Sequence, residues 1–327
     1  MRALLPALFL ALGATALPGQ VLEETFPYPP TLPVIPNWTV HTGTWQVNNF
    51  RLRATSGALW AYITRDNHQA RDCVLEGEFF AVGSGLQFGG LAARVPANSG
   101  GKNLVMGKVQ GSGTFDHIWV YERGSSSKSL SLAFPATTRL NFRMVVLDSN
   151  MWCQVDGDQD GIYEVTTNPL ALTQVTTGGG IGMAAYQTAE MDNFKFYDAV
   201  LWNPTQATPR IGTSYKMHLR VPAPAPSAPR PPFFCLVSRY AQAIPIGTRK
   251  IPLGFDFLWE TALSAPALFS GFTGLIDAKG DAFPTFVIPN DPILVGLGLF
   301  FAGFTLDGKQ PFGIGHISNN HHVKIQP

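Results

Sequence analysis

The chain has 327 residues, a formal net charge of +1, 14% charged and 12% aromatic residues, 33 glycines and 26 prolines. Disorder is excluded, since it needs fewer apolar residues and more charge, and the absence of a Lys/Arg stripe able to track a phosphate backbone excludes a nucleic-acid partner. Many short strands joined by Gly/Pro turns fit this balance better than helices, and the length favours two domains.

At the N-terminus, Arg2, the apolar run 3–12 and the A-x-A site Ala14-Thr15-Ala16 read as a signal peptide over residues 1–19. The run is too short to span a membrane. The expected address is secreted or extracytoplasmic (periplasm or cell surface), with no transmembrane segment once the signal is removed. The greasiest later run, 294–304, is interrupted by Gly296, Gly298 and Gly303 and reads as buried strand.

Residues 20–36 are extended and proline-rich, which blocks helix and favours an edge segment wrapping the domain. A hairpin is expected over 45–52 about Asn48-Asn49, a pair tolerant of positive φ. In 59–64, Leu59, Ala61 and Ile63 alternate with Trp60 and Tyr62. In 73–80, Val74, Glu76 and Glu78 oppose Cys73, Leu75, Gly77 and Phe79. Further strands are read at 86–95, 104–110, 117–122, 130–134, 139–148, 151–155 and 190–197, with breaks such as Gly124-Ser125-Ser126-Ser127 between them. Period-two alternation with almost no 3.6 period predicts a sandwich of antiparallel sheets.

This first domain is expected over 20–200, followed by a polar, Pro-containing linker over 201–211 and a second domain over 212–327. The charge changes sign between them: twelve Lys/Arg against sixteen Asp/Glu over 20–200, and ten against six over 201–327. The second half carries a polyproline-like Pro-Ala tract at 222–232. Strand signals follow at 233–238, 269–277, 283–288, 298–306 and 323–325, which predict a smaller β-sandwich.

Three stretches carry a family resemblance. Residues 36–52 read as Trp38, then Gly43-Thr44-Trp45, a short turn and a strand. Gly89-Gly90-Leu91-Ala92-Ala93-Arg94 follows a G-G-L-x-x-R pattern. Gly180-Ile181-Gly182-Met183 and Met191-Asp192-Asn193-Phe194 form a closing pair of strands. In order and spacing they resemble the concanavalin-A-like lectin/glucanase superfamily, the laminin-G-like jelly rolls. The resemblance implies an all-β, concanavalin-A-like jelly-roll sandwich and a secreted, non-catalytic lectin-like protein whose partner is a carbohydrate or cell-surface glycan. The same fold also hosts glycoside hydrolases and lyases, and structural or adhesive extracellular proteins without a small ligand. The second half loosely resembles small β-sandwich modules of bacterial secreted proteins, which implies attachment or display.

Retaining glucanases of this fold carry a Glu-x-Asp-x-x-Glu strand that places two carboxylates across the scissile bond. Glu190-Met191-Asp192 matches its first half, but Lys195 or Phe194 stands where the third acid belongs. Glu76 and Glu78, two apart in a strand, share a face; so do charged residues on any solvated sheet. No catalytic residue is therefore assigned; an enzyme would draw on Glu76, Glu78, Glu190 and Asp192. No Gly-x-Ser-x-Gly elbow, Cys/His dyad or phosphate loop is present.

For ligand binding, Trp60 with Tyr62 and Trp119 with Tyr121 recur two apart, so each pair shares a strand face on which a sugar could stack. Core packing accounts for the same rings. Arg94 joins them as a cation able to lower the pKa of a nearby acid. The loop Asp156-Gly157-Asp158-Gln159-Asp160-Gly161 sets oxygen ligands at alternate positions with Gly at the sharp turn, as Ca²⁺ requires. An EF-hand is rejected, because its twelfth place is Thr167. Asp156, Asp158, Asp160 and Glu164 remain candidates for a smaller calcium loop, the alternative being a polar hairpin of turn formers. Ca²⁺ is thus the one candidate cofactor, and none is required. Cys73 and Cys153 could pair in an oxidising compartment, or all three cysteines are buried thiols. His316, His321 and His322 read as an exposed polar terminus.

Overall fold

A computed structural model describes residues 22–28, 35–54, 60–96, 104–122, 129–205, 207–247, 249–308 and 310–327. The expected signal peptide and the Gly124–Ser127 break lie outside the described residues. The chain divides into two compact units, Glu23–Phe196 and one holding Tyr197–Pro327.

The strands of the first unit are β1 Leu22–Glu24, β2 Trp38–Thr42, β3 Trp45–Asn48, β4 Arg51–Ala54, β5 Ala61–Ala70, β6 Cys73–Ala81, β7 Leu86–Val95, β8 Val105–Ser112, β9 Phe115–Glu122, β10 Ser129–Thr137, β11 Arg139–Leu147, β12 Asn150–Asp156, β13 Val165–Thr166, β14 Leu170–Ala171, β15 Gly179–Tyr186 and β16 Ala189–Tyr197. One sheet runs β13-β12-β11-β6-β16-β4-β3, with β1 beside β16 and β14 beside β12; the other runs β10-β9-β8-β7-β15-β5-β2. Pairs distant in sequence, such as β6 with β11, β15 with β5 and β16 with β4, run antiparallel, and the two sheets make this a jelly-roll sandwich, as expected.

The opening motif shows how the chain changes sheets. Gly43 takes φ +78, a left-handed value that glycine adopts without a Cβ penalty, between β2 in one sheet and β3 in the other. The Trp45 indole N–H donates to the Thr42 carbonyl at 3.1 Å, and Trp38 packs edge-on against Phe194 at 5.2 Å. The hairpin turn is Asn49-Phe50 (φ 49 and 62), one residue later than expected. Two consecutive positive φ values define the primed turn that matches strand twist.

Between the sheets, Gly89 on β7 leaves room for the Phe79 ring on β6: a Cβ there would lie 2.2 Å from it. Gly107 on β8 likewise faces Cys153, Phe142 and Met144. Cys73, Cys153 and Cys235 are separate buried thiols, and burial pushes Cys73 up to about 12. The pairing of Cys73 with Cys153 is not formed.

The second unit consists of small antiparallel sheets, the largest built on Pro232–Ser238 and Gly298–Leu306. Phe233, Phe272, Phe286 and Phe301 are among its core residues. The expected linker opens as strand instead: Val200–Trp202 pairs with His218–Arg220, and Val200 and Leu201 are buried. Their apolar side chains outweigh the turn signal of Asn203-Pro204. One helix, Phe257–Ser264, was not foreseen. The Asp256 side chain caps it by accepting from the Leu258 N–H at 3.0 Å, but only Ala262 on it is buried, so no apolar stripe announces it. The terminal histidines are half-buried rather than exposed. His321 bonds the Tyr215 hydroxyl at 2.8 Å, and His316 Nδ1 bonds Asp198 at 2.6 Å.

Candidate functional site

Because Gly89, Leu91 and Gly107 point inward, the alternate residues of the seven-stranded sheet point away from the sandwich. Register then aligns them across the strands. On β8 and β9, Lys108 pairs with Trp119, Met106 with Tyr121 and Gln110 with His117. On β7, Phe88 pairs with Gln110 and with Tyr186 of β15, and Ala184 of β15 pairs with Tyr62 of β5. The result is an aromatic face. Trp60, just before β5, stacks on Tyr62 at 5.8 Å and 4°, and lies 4.6 Å from Phe88, 6.4 Å from Tyr121 and 6.2 Å from Tyr186. Phe88 stacks on Tyr186 at 4.9 Å.

The four rings singled out from sequence thus share one face. Tyr62 and Phe88 are buried in it, whereas Trp60, Trp119, Tyr121 and Tyr186 stay partly exposed. Lys108 stands among them, its Nζ 4.3 Å from the Phe88 centroid, 5.3 Å from Trp119 and 5.5 Å from Trp60. Its acceptor is Gln110 Oε1 at 3.2 Å. Burial pulls this ammonium down to about 8. The Trp119 indole N–H is buried without an acceptor among the described residues. Lys108, Phe88 and Tyr186 escaped the sequence reading. The spacing of Met106, Lys108 and Gln110 put them on one side of β8, but only the cross-strand register brings that side to the tryptophans.

Arg94 does not belong to this face. Its side chain is fully buried, with Nε donating to the Arg71 carbonyl at 2.8 Å, Nη1 to Val175 at 2.8 Å, and Nη2 to Asp148 and the Asp72 carboxylate. Arg94 sits at φ +53, where β7 and β15 shift register beside Gly180 and Gly182. It is a clamp on three backbone segments, not a ligand contact.

The four carboxylates gather on the outer side of the nine-stranded sheet. Asn193 takes φ +50 and breaks the alternation of β16, so Glu190, Asp192 and Asn193 do not simply alternate faces. Each glutamate is engaged by cations. Glu76 meets Arg143 at 2.6 Å and Lys195 at 4.0 Å; Glu78 meets Arg139 and the Asn193 amide; Glu190 meets Arg51 and Arg53 at 3.3 and 3.4 Å. The Arg143 guanidinium lies 4.0 Å over the Tyr163 ring. Asp192 is pushed up to about 6 by burial, with the charge of Glu78 adding to it and the Asn193 N–H, Arg51 and Arg139 opposing.

The acidic loop closes as a cluster: one carboxylate oxygen from each of Asp156, Asp158, Asp160 and Glu164 lies within 4.8 Å of all the others. Asp156 is buried at the end of β12; its Oδ1 accepts from the Gln159 N–H and its Oδ2 from Gly161 and the Asn141 amide. Glu164 accepts from the Gly157 N–H at 3.2 Å. Burial raises Asp156, with Asp160 adding, and burial followed by Asp156 and Asp158 raises Glu164. An all-oxygen, acid-rich set of this size suits a hard divalent cation.

No family model matches the chain, and no curated protein matches it. Among solved structures, a carbohydrate-binding module of Bacillus subtilis is similar at 17% identity and a TM-score of 0.38, over 48% of this chain and 93% of that one. A Bacillus licheniformis β-glucanase is similar at 15% identity and a TM-score of 0.37, over 55% and 99%. A Bacillus subtilis protein of unknown function with a galectin-like fold is similar at 11% identity and a TM-score of 0.40, over 54% and 96%.

Proposed function

We propose that the unit Glu23–Phe196 binds glycans without catalysis, through the aromatic face of its seven-stranded sheet. The observation that carries this reading is the company of four partly exposed rings, Trp60, Trp119, Tyr121 and Tyr186, on one face with a lysine flanked by Trp60 and Trp119 and with the Trp119 indole N–H, which has no acceptor among the described residues. A sealed core would have no use for a cation and a free donor, since burying either without a partner is costly. A saccharide satisfies both demands: its C–H faces stack on rings and its oxygens accept hydrogen bonds. The measurement is a glycan array followed by titration of the best ligand. Trp119→Ala is expected to weaken binding at least about tenfold, the loss of one stacking contact of about 1.4 kcal/mol. Undiminished affinity in that variant, or no retention of the parent protein by any glycan, overturns the reading.

Asp156, Asp158, Asp160 and Glu164 would hold a Ca²⁺ that fixes the loop after β12. Export rests on Arg2, the apolar run 3–12 and Ala14-Thr15-Ala16. The exported chain is expected to begin between Leu17 and Gln20 on N-terminal sequencing, and an intact Met1 on it contradicts export by this signal.

A further inference from the structure

Within the glycan-binding reading, on which this step rests, we infer that the saccharide is anionic, with a carboxylate or sulfate seated on Lys108 Nζ and the Trp119 indole N–H. The sheet places both donors on neighbouring strands in direct register, Lys108 opposite Trp119. The ammonium is enclosed by Phe88, Trp119 and Trp60, and forms no ion pair among the described residues; a neutral amide, Gln110, is its acceptor. Ring faces hold a cation in place but leave its charge uncompensated by any anion. The Trp119 indole N–H, without an acceptor among the described residues, gives the same instruction from a second residue.

A neutral hydroxyl would satisfy one donor. An oxyanion supplies several acceptor lone pairs and the countercharge together, and charge-assisted bonds are about twice as strong as neutral ones. The sugar ring carrying the anion would then lie against Trp119 and Tyr121, which share the outer side of β9 with His117. The arrangement also accounts for a lysine where a methionine or leucine would pack among rings at lower cost. Burial lowers the Lys108 pKa to about 8, so the free face holds its charge reluctantly and an incoming anion restores it.

Among the described residues, the titratable groups on the side of the sheet that Lys108 faces are His117 and Tyr121 on β9, Tyr62 on β5 and Tyr186 on β15; Asp116 holds His117 Nδ1 at 2.7 Å, Glu122 at the end of β9 accepts from the Thr173, Gln174 and Val175 N–H groups, and Arg94 of β7 is spent on backbone carbonyls. Loss of the lysine charge predicts that binding weakens as pH rises through about 8 and is retained below it.

The test uses the full chain and two matched pairs of polysaccharides: polygalacturonate with its methyl ester, and dextran sulfate with dextran. Dissociation constants are measured for the parent, Lys108→Met and Lys108→Arg by calorimetry and affinity electrophoresis. The expected result is at least about tenfold tighter binding of the acidic member of one pair, equivalent to about 1.4 kcal/mol. The preference should vanish in Lys108→Met and persist in Lys108→Arg. Which pair shows it distinguishes carboxylate from sulfate. Equal binding of acidic and neutral members overturns the inference and leaves glycan binding intact. An acidic preference that survives Lys108→Met also overturns it, placing the attraction elsewhere on the surface. Failure of all four polymers, and of the array, overturns the glycan reading itself. Thermal melts of each variant confirm that any lost binding is not lost folding.

Discussion

Replacing Arg94 by methionine is expected to destabilise the first unit by about 3–5 kcal/mol, the range for breaking a buried, fully bonded charge site. The side chain spends its N–H groups on the carbonyls of Arg71, Val175 and Asp148 and on Asp72. Methionine fills similar volume but leaves those carbonyls without their donor, and each unsatisfied buried group costs about 1–3 kcal/mol. Arg94→Lys should recover little, because one ammonium cannot reproduce a planar fork aimed at three segments. Urea denaturation of the three proteins measures the difference. A loss under about 1 kcal/mol for Arg94→Met would show that the carbonyls find water, and that the residue is no clamp. The result also bears on function, since an Arg94 that contacted ligand would change affinity more than stability.

Millimolar Ca²⁺ is expected to raise the melting temperature of the protein over that in chelator, and Asp156→Asn is expected to abolish the rise. At a free concentration about a hundred times Kd, binding to the folded state alone contributes about 2.7 kcal/mol, or roughly 5–10 °C for a domain of this size. The pH dependence has opposite signs in the two conditions. Without metal, Asp156 and Glu164 have folded pKa values above their ordinary ones. The folded chain then binds protons more tightly than the unfolded chain, so their contribution to stability grows as pH falls from neutrality through the raised values. With Ca²⁺ the carboxylates must be ionised to ligate, so the gain shrinks over the same window. A melting curve indifferent to Ca²⁺ and chelator at neutral pH would make the cluster a plain polar hairpin.

Much of this architecture is readable along the chain. Period-two alternation places β6, β7, β8, β9, β11 and β12 to within a few residues, because a half-buried strand must turn apolar residues one way and polar residues the other. The three family-like stretches acquire physical content in the fold. Gly43 turns the chain between sheets, Gly89 yields to Phe79, and Gly182 sits where a Cβ would lie 2.0 Å from the Ile63 carbonyl. The acidic loop is largely local: its four carboxylates come from one short stretch of chain, with the Asn141 amide of β11 also holding Asp156. The helix at Phe257–Ser264 and the strand at Val200–Trp202 were hidden, the first for want of an apolar stripe and the second behind Asn203-Pro204.

The candidate site divides along the same line. Local spacing determined that Trp60 shares a side with Tyr62, and Trp119 with Tyr121, but each pair stood alone. Tertiary structure joined them, because antiparallel register across β9, β8, β7, β15 and β5 is fixed by pairings between residues as far apart as Tyr62 and Ala184. The same register placed Lys108 among the rings and sent Arg94, on a neighbouring stretch of β7, into the interior. Whether a charged side chain meets solvent, a ligand or buried carbonyls depends on which distant segments surround it, and strand periodicity carries no information about those partners.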